Sequence, residues 1–199
     1  MKLLLCSDLH ASKALCHKIF ELSAKADLVI VAGDIGHLRR RLAETIAVLI
    51  DIKTKTILVP GNSESYIELK EACSKWQNAF VLHGNGLKLD GFDFYGIGGG
   101  IPVTPFGSWS WDFSEDEAKV LLKNCPEEAV LISHSPPKGI LDVSSSGQSL
   151  GSVAVKECID IKKPPLVVCG HIHESSGKVS RYGDSAVINA GPHGIWFDI

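Results

Sequence analysis

The chain has 199 residues, 45% hydrophobic and 22% charged, which suits a single domain spanning residues 1–199 with a buried core and leaves no room for a long disordered tail. A formal net charge of −3 excludes a general attraction to nucleic acid or to an anionic membrane, so positive charge for a phosphorylated substrate would have to be local. The six cysteines form no CxxC pair and several lie inside apolar runs, and no window reaches the ~18 apolar residues of a membrane span; a soluble, reduced, cytoplasmic protein is expected.

The first apolar run, Lys2–Ser7, predicts a strand and ends in SDLH, which carries Asp8 and His10. A helix is expected near 12–26, where Leu15, Ile19 and Leu22 fall at i, i+4, i+7 spacing. The run Leu28–Ala32 ends in AGDIGH, with Asp34 and His37, and a helix is expected over 38–51. Thr56–Pro60 ends in PGNSE, with Asn62, before a helix near 64–76. Glycine and Asn punctuate Phe80 to Gly100, which predicts antiparallel hairpins. Gly98–Trp111 mixes glycine, proline and aromatics as substrate-covering loops do. Its Phe106, Trp109 and Trp111 could stack on a nucleobase or equally pack a hairpin edge onto the core.

A helix near 114–124 leads to the strand Ala129–Ser133, which ends in SHSPP with His134. The segment SSSGQSLGS before a helix near 150–161 could present backbone N–H groups to a phosphate or simply cap that helix. Leu166–Cys169 ends in CGHIH, with His171 and His173, and Ala186–Asn189 is the last buried run. Runs apolar throughout suit strands covered on both faces. Strands alternating with helices argue for an α/β fold with a largely parallel sheet, and two strand groups with their own helices fit two layered sheets flanked by helices.

Five of these strand-like runs finish in a metal-capable residue, and in α/β sheets functional groups gather beyond the carboxyl ends of strands. The set of two Asp, one Asn and four His suits Mn, Fe, Zn or Co better than Mg or Ca, which prefer oxygen alone. Seven donors exceed one tetrahedral ion and suit two ions that share a bridging carboxylate and a bridging water. Such a pair, roughly 3.5–4 Å apart, clamps an in-line displacement at phosphorus.

SDLH, GD, GN, SHSPP and GHIH, in that order from residue 6 to about residue 192, together resemble the calcineurin-like metallophosphoesterase superfamily, and within it the small prokaryotic phosphoesterases. The resemblance implies a four-layer αββα sandwich of two mixed β-sheets flanked by helices. It implies a binuclear phosphoesterase that works through a metal-bridging hydroxide on a small phosphoester. Asp8, His10 and His173 would hold one ion, Asn62, His134 and His171 the other, and Asp34 would bridge. Asp34, Asn62 and His10 are expected to carry the catalysis. The cofactors would be two divalent ions, Mn first, with Fe, Zn, Ni or Co as alternatives.

Many members carry a His after the GN; here Ser63 stands there, followed by Glu64. A hydroxyl cannot replace imidazole as a proton donor near neutral pH. Some similar small phosphoesterases with a non-His residue there favour activated diesters, which makes a phosphodiesterase the expectation. The alternative is a non-catalytic scaffold of the same fold that binds protein partners, against which the complete donor set weighs. His37, three past Asp34, could face the cleft but is expected as a helix-start residue; Arg39, Arg40 and Arg41 could contact phosphate but are expected as a solvated basic face; His83 and His193 are expected as structural, His193 being the nearer to the site.

Overall fold

The computed structural model describes residues 1–199, and each predicted apolar run is a strand within a residue or two of its expected bounds. In chain order the first half comprises β1 (Lys2–Cys6), α1 (Lys13–Ser23), β2 (Leu28–Ala32), α2 (Leu42–Leu49), β3 (Lys55–Val59), α3 (Tyr66–Ala72), β4 (Ala79–Val81), β5 (Asn85–Leu89) and β6 (Phe92–Ile97). The second half comprises α4 (Glu115–Leu122), β7 (Val130–Ser133), α5 (Val153–Lys162), β8 (Leu166–Cys169), β9 (Val179–Tyr182), β10 (Ser185–Asn189) and β11 (Ile195–Asp198).

They form two mixed sheets, a five-stranded one in the order β11-β1-β2-β3-β4 and a six-stranded one in the order β5-β6-β7-β8-β10-β9. The period of two along each strand sorts side chains into three cores. Leu3, Leu5, Ile30, Val59, Phe94, Ile132 and Val168 fill the space between the sheets. On the outer face of the first sheet, Leu4, Val29 and Leu58 meet Cys16, Ile19, Ile46 and Leu69 of α1, α2 and α3. On the outer face of the second, Tyr95, Leu131 and Val167 meet Ala118, Leu122, Val155 and Ile159 of α4 and α5. The result is the expected αββα sandwich. Coverage on both faces is why the strands read as apolar throughout.

Two expectations change. Of the hairpins expected over 80–100 only β5–β6 exists, paired antiparallel from Asn85↔Gly96 to Leu89↔Phe92. Residues 79–81 instead complete a crossover from β3 through α3 and add a parallel strand to the first sheet. The helix expected from 38 starts at Leu42, because Leu38, Arg39 and Arg41 take left-handed φ angles of 48°, 62° and 62° and the chain makes a tight turn first. All six cysteines are buried thiols. No helix is long and apolar enough to cross a membrane.

Candidate metal centre

Within the first sheet β1, β2 and β3 run parallel, and within the second so do β7 and β8. The loops after these five strands meet at one edge of the sandwich and bring Asp8, His10, Asp34, Asn62, His134, His171 and His173 together. Four of the seven, Asp8, His10, Asp34 and His171, have left-handed φ angles of 55°, 45°, 53° and 66°. Non-glycine residues in that region carry strain of order 1–3 kcal/mol each, which persists where the surroundings over-determine it. The glycines of the motifs have a steric purpose: a Cβ at Gly61 would run into Asp34, and one at Gly170 into Asp8 and Ser7.

The donors fall into two overlapping groups. Side-chain donors of Asp8, His10 and His173 lie within 4.8 Å of one another, and so do those of Asp8, Asp34 and His134. The Nε2 atoms of His10 and His173 face each other at 3.0 Å. Asp8 Oδ1 is 3.7 Å from His173 Nε2. In the second group His134 Nε2 lies 3.2 Å from Asn62 Oδ1 and 3.4 Å from Asp34 Oδ1. The ring of His171 packs edge-on to that of His134 at 4.9 Å. Asp8 belongs to both groups, and Asp34 of the second reaches towards the first, its Oδ2 lying 3.7 Å from His10 Nδ1.

This arrangement fits cations. The Ala32 carbonyl can only accept, so Nδ1 of His134 must donate to it at 2.8 Å. Burial opposes charge on this ring, but the Asp34 and Asp8 carboxylates outweigh it and raise its pKa, so in the metal-free chain a proton on Nε2 faces the two oxygens, and a metal ion would take that proton's place. The amide of Asn62 is turned the same way, because its Nδ2 donates to Ser110 Oγ at 3.0 Å, and that hydroxyl donates to Asp112 Oδ1 at 2.7 Å. Converging acceptors in a buried site are costly without a positive charge among them. His10 Nδ1, buried and without a hydrogen-bond partner, adds another orphaned donor atom.

Electrostatics point the same way. Burial opposes charge on Asp8, but the His173 imidazole, the charge of His134 and the Ser7 hydroxyl outweigh it and hold its carboxyl at about 2. Burial and the neighbouring His134 push His171 down to about 4, which leaves its ring neutral and available as a ligand. Burial likewise lowers His10.

Three supporting residues were not singled out from sequence. Glu64 accepts N–H bonds from Ile35 and Gly36 of the Asp34 loop and from Gly61 of the Asn62 loop, at 2.9–3.1 Å. Burial, together with the Asp34 charge, pushes its carboxyl up to about 7. Asn189 donates to the carbonyls of Gly170 and Ile172 at 3.1 and 2.9 Å and so holds the GHIH loop. Ser110 orients Asn62 as described. The available signal for Asn189 was a sixth apolar run that also ends in a polar side chain.

Ser63, 2% exposed, donates from its hydroxyl to Asp34 Oδ2 at 3.0 Å and from its backbone to Oδ1 at 2.8 Å, so it braces Asp34. His37 corrects its expected helix-start role: it lines the cleft, with its ring edge-on to His10 at 5.5 Å. Arg39 and Arg41 pair with Glu68 and Glu44 and do not line the cleft. His83 is structural, packed among Tyr66, Trp111 and Phe113. His193 is exposed and lies outside the cleft lining, contrary to its expected approach. At the N-terminus of α5 the Glu115 carboxylate takes the place considered for a phosphate, accepting from Val153 N, Ala154 N and Ser152 Oγ.

The sequence model for the family described as calcineurin-like phosphoesterase matches residues 1–175. The UPF0046 protein T07D4.2 of Caenorhabditis elegans is 28% identical over 123 residues, which are 60% of this chain and 29% of that protein. The chain therefore spans under a third of the length of that relative. Among solved structures, TT1561 of Thermus thermophilus superposes with a TM-score of 0.76 at 21% identity, covering 96% of this chain and 88% of that one. A dimetal phosphatase from Danio rerio superposes with a TM-score of 0.63 at 13% identity, covering 95% and 86%. At such identities the two structures speak for the fold alone.

Proposed function

The chain belongs to the calcineurin-like phosphoesterase family, and from that premise we propose that it hydrolyses small phosphodiesters at a centre for two divalent metal ions. The observation that carries this reading is the convergence of seven metal-capable side chains, with Asp8 common to two groups and Asp34 lying 3.7 Å from His10 and 3.4 Å from His134. Asp8, His10 and His173 would hold one ion, Asn62, His134 and His171 the other, and Asp34 both. The mixed oxygen and nitrogen set favours Mn. When bound, the two ions would acidify water and neutralise charge on the phosphoryl group.

The chain's own residues shape the reaction around them. Ser63 and the Ser110–Asn62 hydrogen bond fix Asp34 and Asn62, so neither has to reorganise during turnover. The cleft, about 370 Å³, is lined by no Lys or Arg side chain. A dianionic monoester would place more charge there than the chain itself can balance, whereas a diester carries one negative charge. No imidazole stands after Asn62 to protonate a poor leaving group, which favours esters whose alcohol leaves readily. The volume fits a small molecule, and six buried thiols favour a reducing, cytoplasmic location.

The test is metal-stripped protein reloaded with Mn²⁺ and assayed on bis-p-nitrophenyl phosphate and p-nitrophenyl phosphate, with Asp34→Asn alongside. Metal-dependent turnover that prefers the diester and disappears in Asp34→Asn is expected. No turnover of either ester with Mn²⁺, Ni²⁺, Co²⁺ or Zn²⁺ would overturn the reading.

A further inference from the structure

The cleft has a polar floor and an apolar rim. The floor holds five of the seven donors, His10, Asp34, Asn62, His171 and His173; the rim is formed by Leu38, Phe106, Trp109 and Leu150. Three of these large side chains are strongly exposed, Phe106 at 49% and Leu38 and Leu150 at 43% each. Scattered exposed hydrophobics need no explanation, but several gathered around one polar depression mark a ligand-binding groove.

Phe106 and Trp109 are arranged further. Their rings stack on each other with centroids 5.4 Å apart and planes only 14° from parallel. The loop that presents them is fixed at its base: Trp111 N donates to Asn62 O at 3.0 Å, Ile101 N to Ser135 Oγ at 2.8 Å, and Thr104 N to Asp112 Oδ2 at 2.9 Å. Ser110, adjacent to Trp109, is the hydroxyl that orients Asn62. A platform one residue removed from the partner of a metal-capable amide stands beside the place where a phosphoryl group would sit. Trp111, by contrast, turns away and packs on His83 and Phe113.

Building on the phosphoesterase reading, we propose that the Phe106–Trp109 pair determines specificity by stacking a planar aromatic group carried by the ester, either a nucleobase or a phenyl-type ring. The pair is already stacked and its loop already hydrogen-bonded, so little ordering would be lost when a ring docks. With no Lys or Arg lining the cleft, the rim recognises its ligand through π-surface and apolar contact. An isolated ring plus one phosphoryl group also matches the cleft's modest volume better than a polymer does.

The experiment titrates Mn²⁺-loaded full-length protein, read by tryptophan fluorescence and calorimetry, with two matched pairs: AMP against ribose 5-phosphate, and phenylphosphonate against methylphosphonate. At least one ring-bearing probe should bind about tenfold tighter than its partner, within the range that base–aromatic stacking supplies. In Phe106→Leu and Trp109→Leu, which keep apolar bulk but lose the π-face, the advantage should fall to about twofold or less. A preference for AMP alone identifies a nucleobase, and one for phenylphosphonate alone an aryl ester; either supports the platform. Equal affinities within both pairs, no binding by any probe, or a preference untouched in both variants would overturn it, and the wild-type comparison needs no variant to fold. Hydrolysis of bis-p-nitrophenyl phosphate by the same preparation separates the two levels. Metal-dependent turnover without ring preference sinks the platform alone, whereas loss of both turnover and metal-dependent binding sinks the phosphoesterase reading beneath it.

Discussion

His134 aims Nε2 at Asn62 Oδ1 across 3.2 Å, although its Nδ1 is committed to donating to the Ala32 carbonyl. Asp34 and Asp8 raise the pKa of this ring against the effect of burial, so a proton fills the gap in the metal-free chain, and a divalent ion would replace it with more charge among the same oxygens. Chelation should therefore destabilise the protein. At metal concentrations about 100 times the dissociation constant, linkage is worth about 2.7 kcal/mol, or roughly 5–10 °C in Tm for a chain of this size. Differential scanning calorimetry with Mn²⁺ and with EDTA measures this, and the difference should shrink in His134→Asn.

Ser110→Ala should weaken metal binding without unfolding the chain. It frees Asn62 Nδ2, so the amide can rotate and offer the wrong atom. Loss of such supporting bonds costs about 10- to 100-fold in metal affinity. Competition with a chromogenic chelator reads the affinity, and an unchanged circular dichroism melt of the metal-free protein reads the fold.

Glu64→Ala should be among the more damaging single changes. Three backbone N–H groups, from Ile35, Gly36 and Gly61, lose their acceptor inside the protein. At about 1–3 kcal/mol for each unsatisfied buried group, with partial relaxation, a loss of about 3 kcal/mol or more in urea unfolding is expected. Glu64→Gln should recover part of it, because one carboxamide oxygen still accepts.

Acid should weaken the fold through His83 before it protonates most carboxylates. Burial pushes this imidazole down to about 4, and its Nδ1 accepts from Gly98 N, so the folded state requires the neutral ring. The unfolded chain takes up the proton near the ordinary value of about 6.5. The contribution is thus complete above about pH 6.5 and is lost as pH falls towards 4. Discounted for the partial exposure of the ring, it amounts to about 1–2 kcal/mol. Chemical denaturation of metal-free protein at pH 7 and pH 4.5, wild type against His83→Gln, should show a smaller pH dependence in the variant.

Much of the fold and the donor set was legible because two kinds of signal coincide. Strands covered on both faces leave uninterrupted runs such as LVIVA and LVVC, and a polar residue at the end of such a run has few structural reasons to be there. β4 was not legible: it is three residues long and half-buried, so no period could show which sheet it joins. The late start of α2 was hidden because Leu38 to Arg41 has the composition of a helix face, while its left-handed turn depends on tertiary contacts such as Arg39 N to Ser63 O. Asn189, and Glu64 in two of its three bonds, act on backbone groups distant in sequence, which no spacing rule encodes. His37 was misjudged for a related reason, since the turn that delays α2 is what directs it into the cleft.

Each of the two donor groups draws on both sheets. Asp8 and His10 follow a strand of the first sheet and meet His173 from the second, while Asn62 from the first meets His134 from the second, whose ring packs against that of His171. Neither half of the sandwich owns a complete set, so the centre is a clasp across a seam. It can close only after the sheets have docked, and during synthesis only once residue 173 is available. The same clasp makes metal affinity a gauge of docking: a cavity cut at Phe94, in the middle of the seam and away from every donor, should be felt as looser metal as well as a weaker fold.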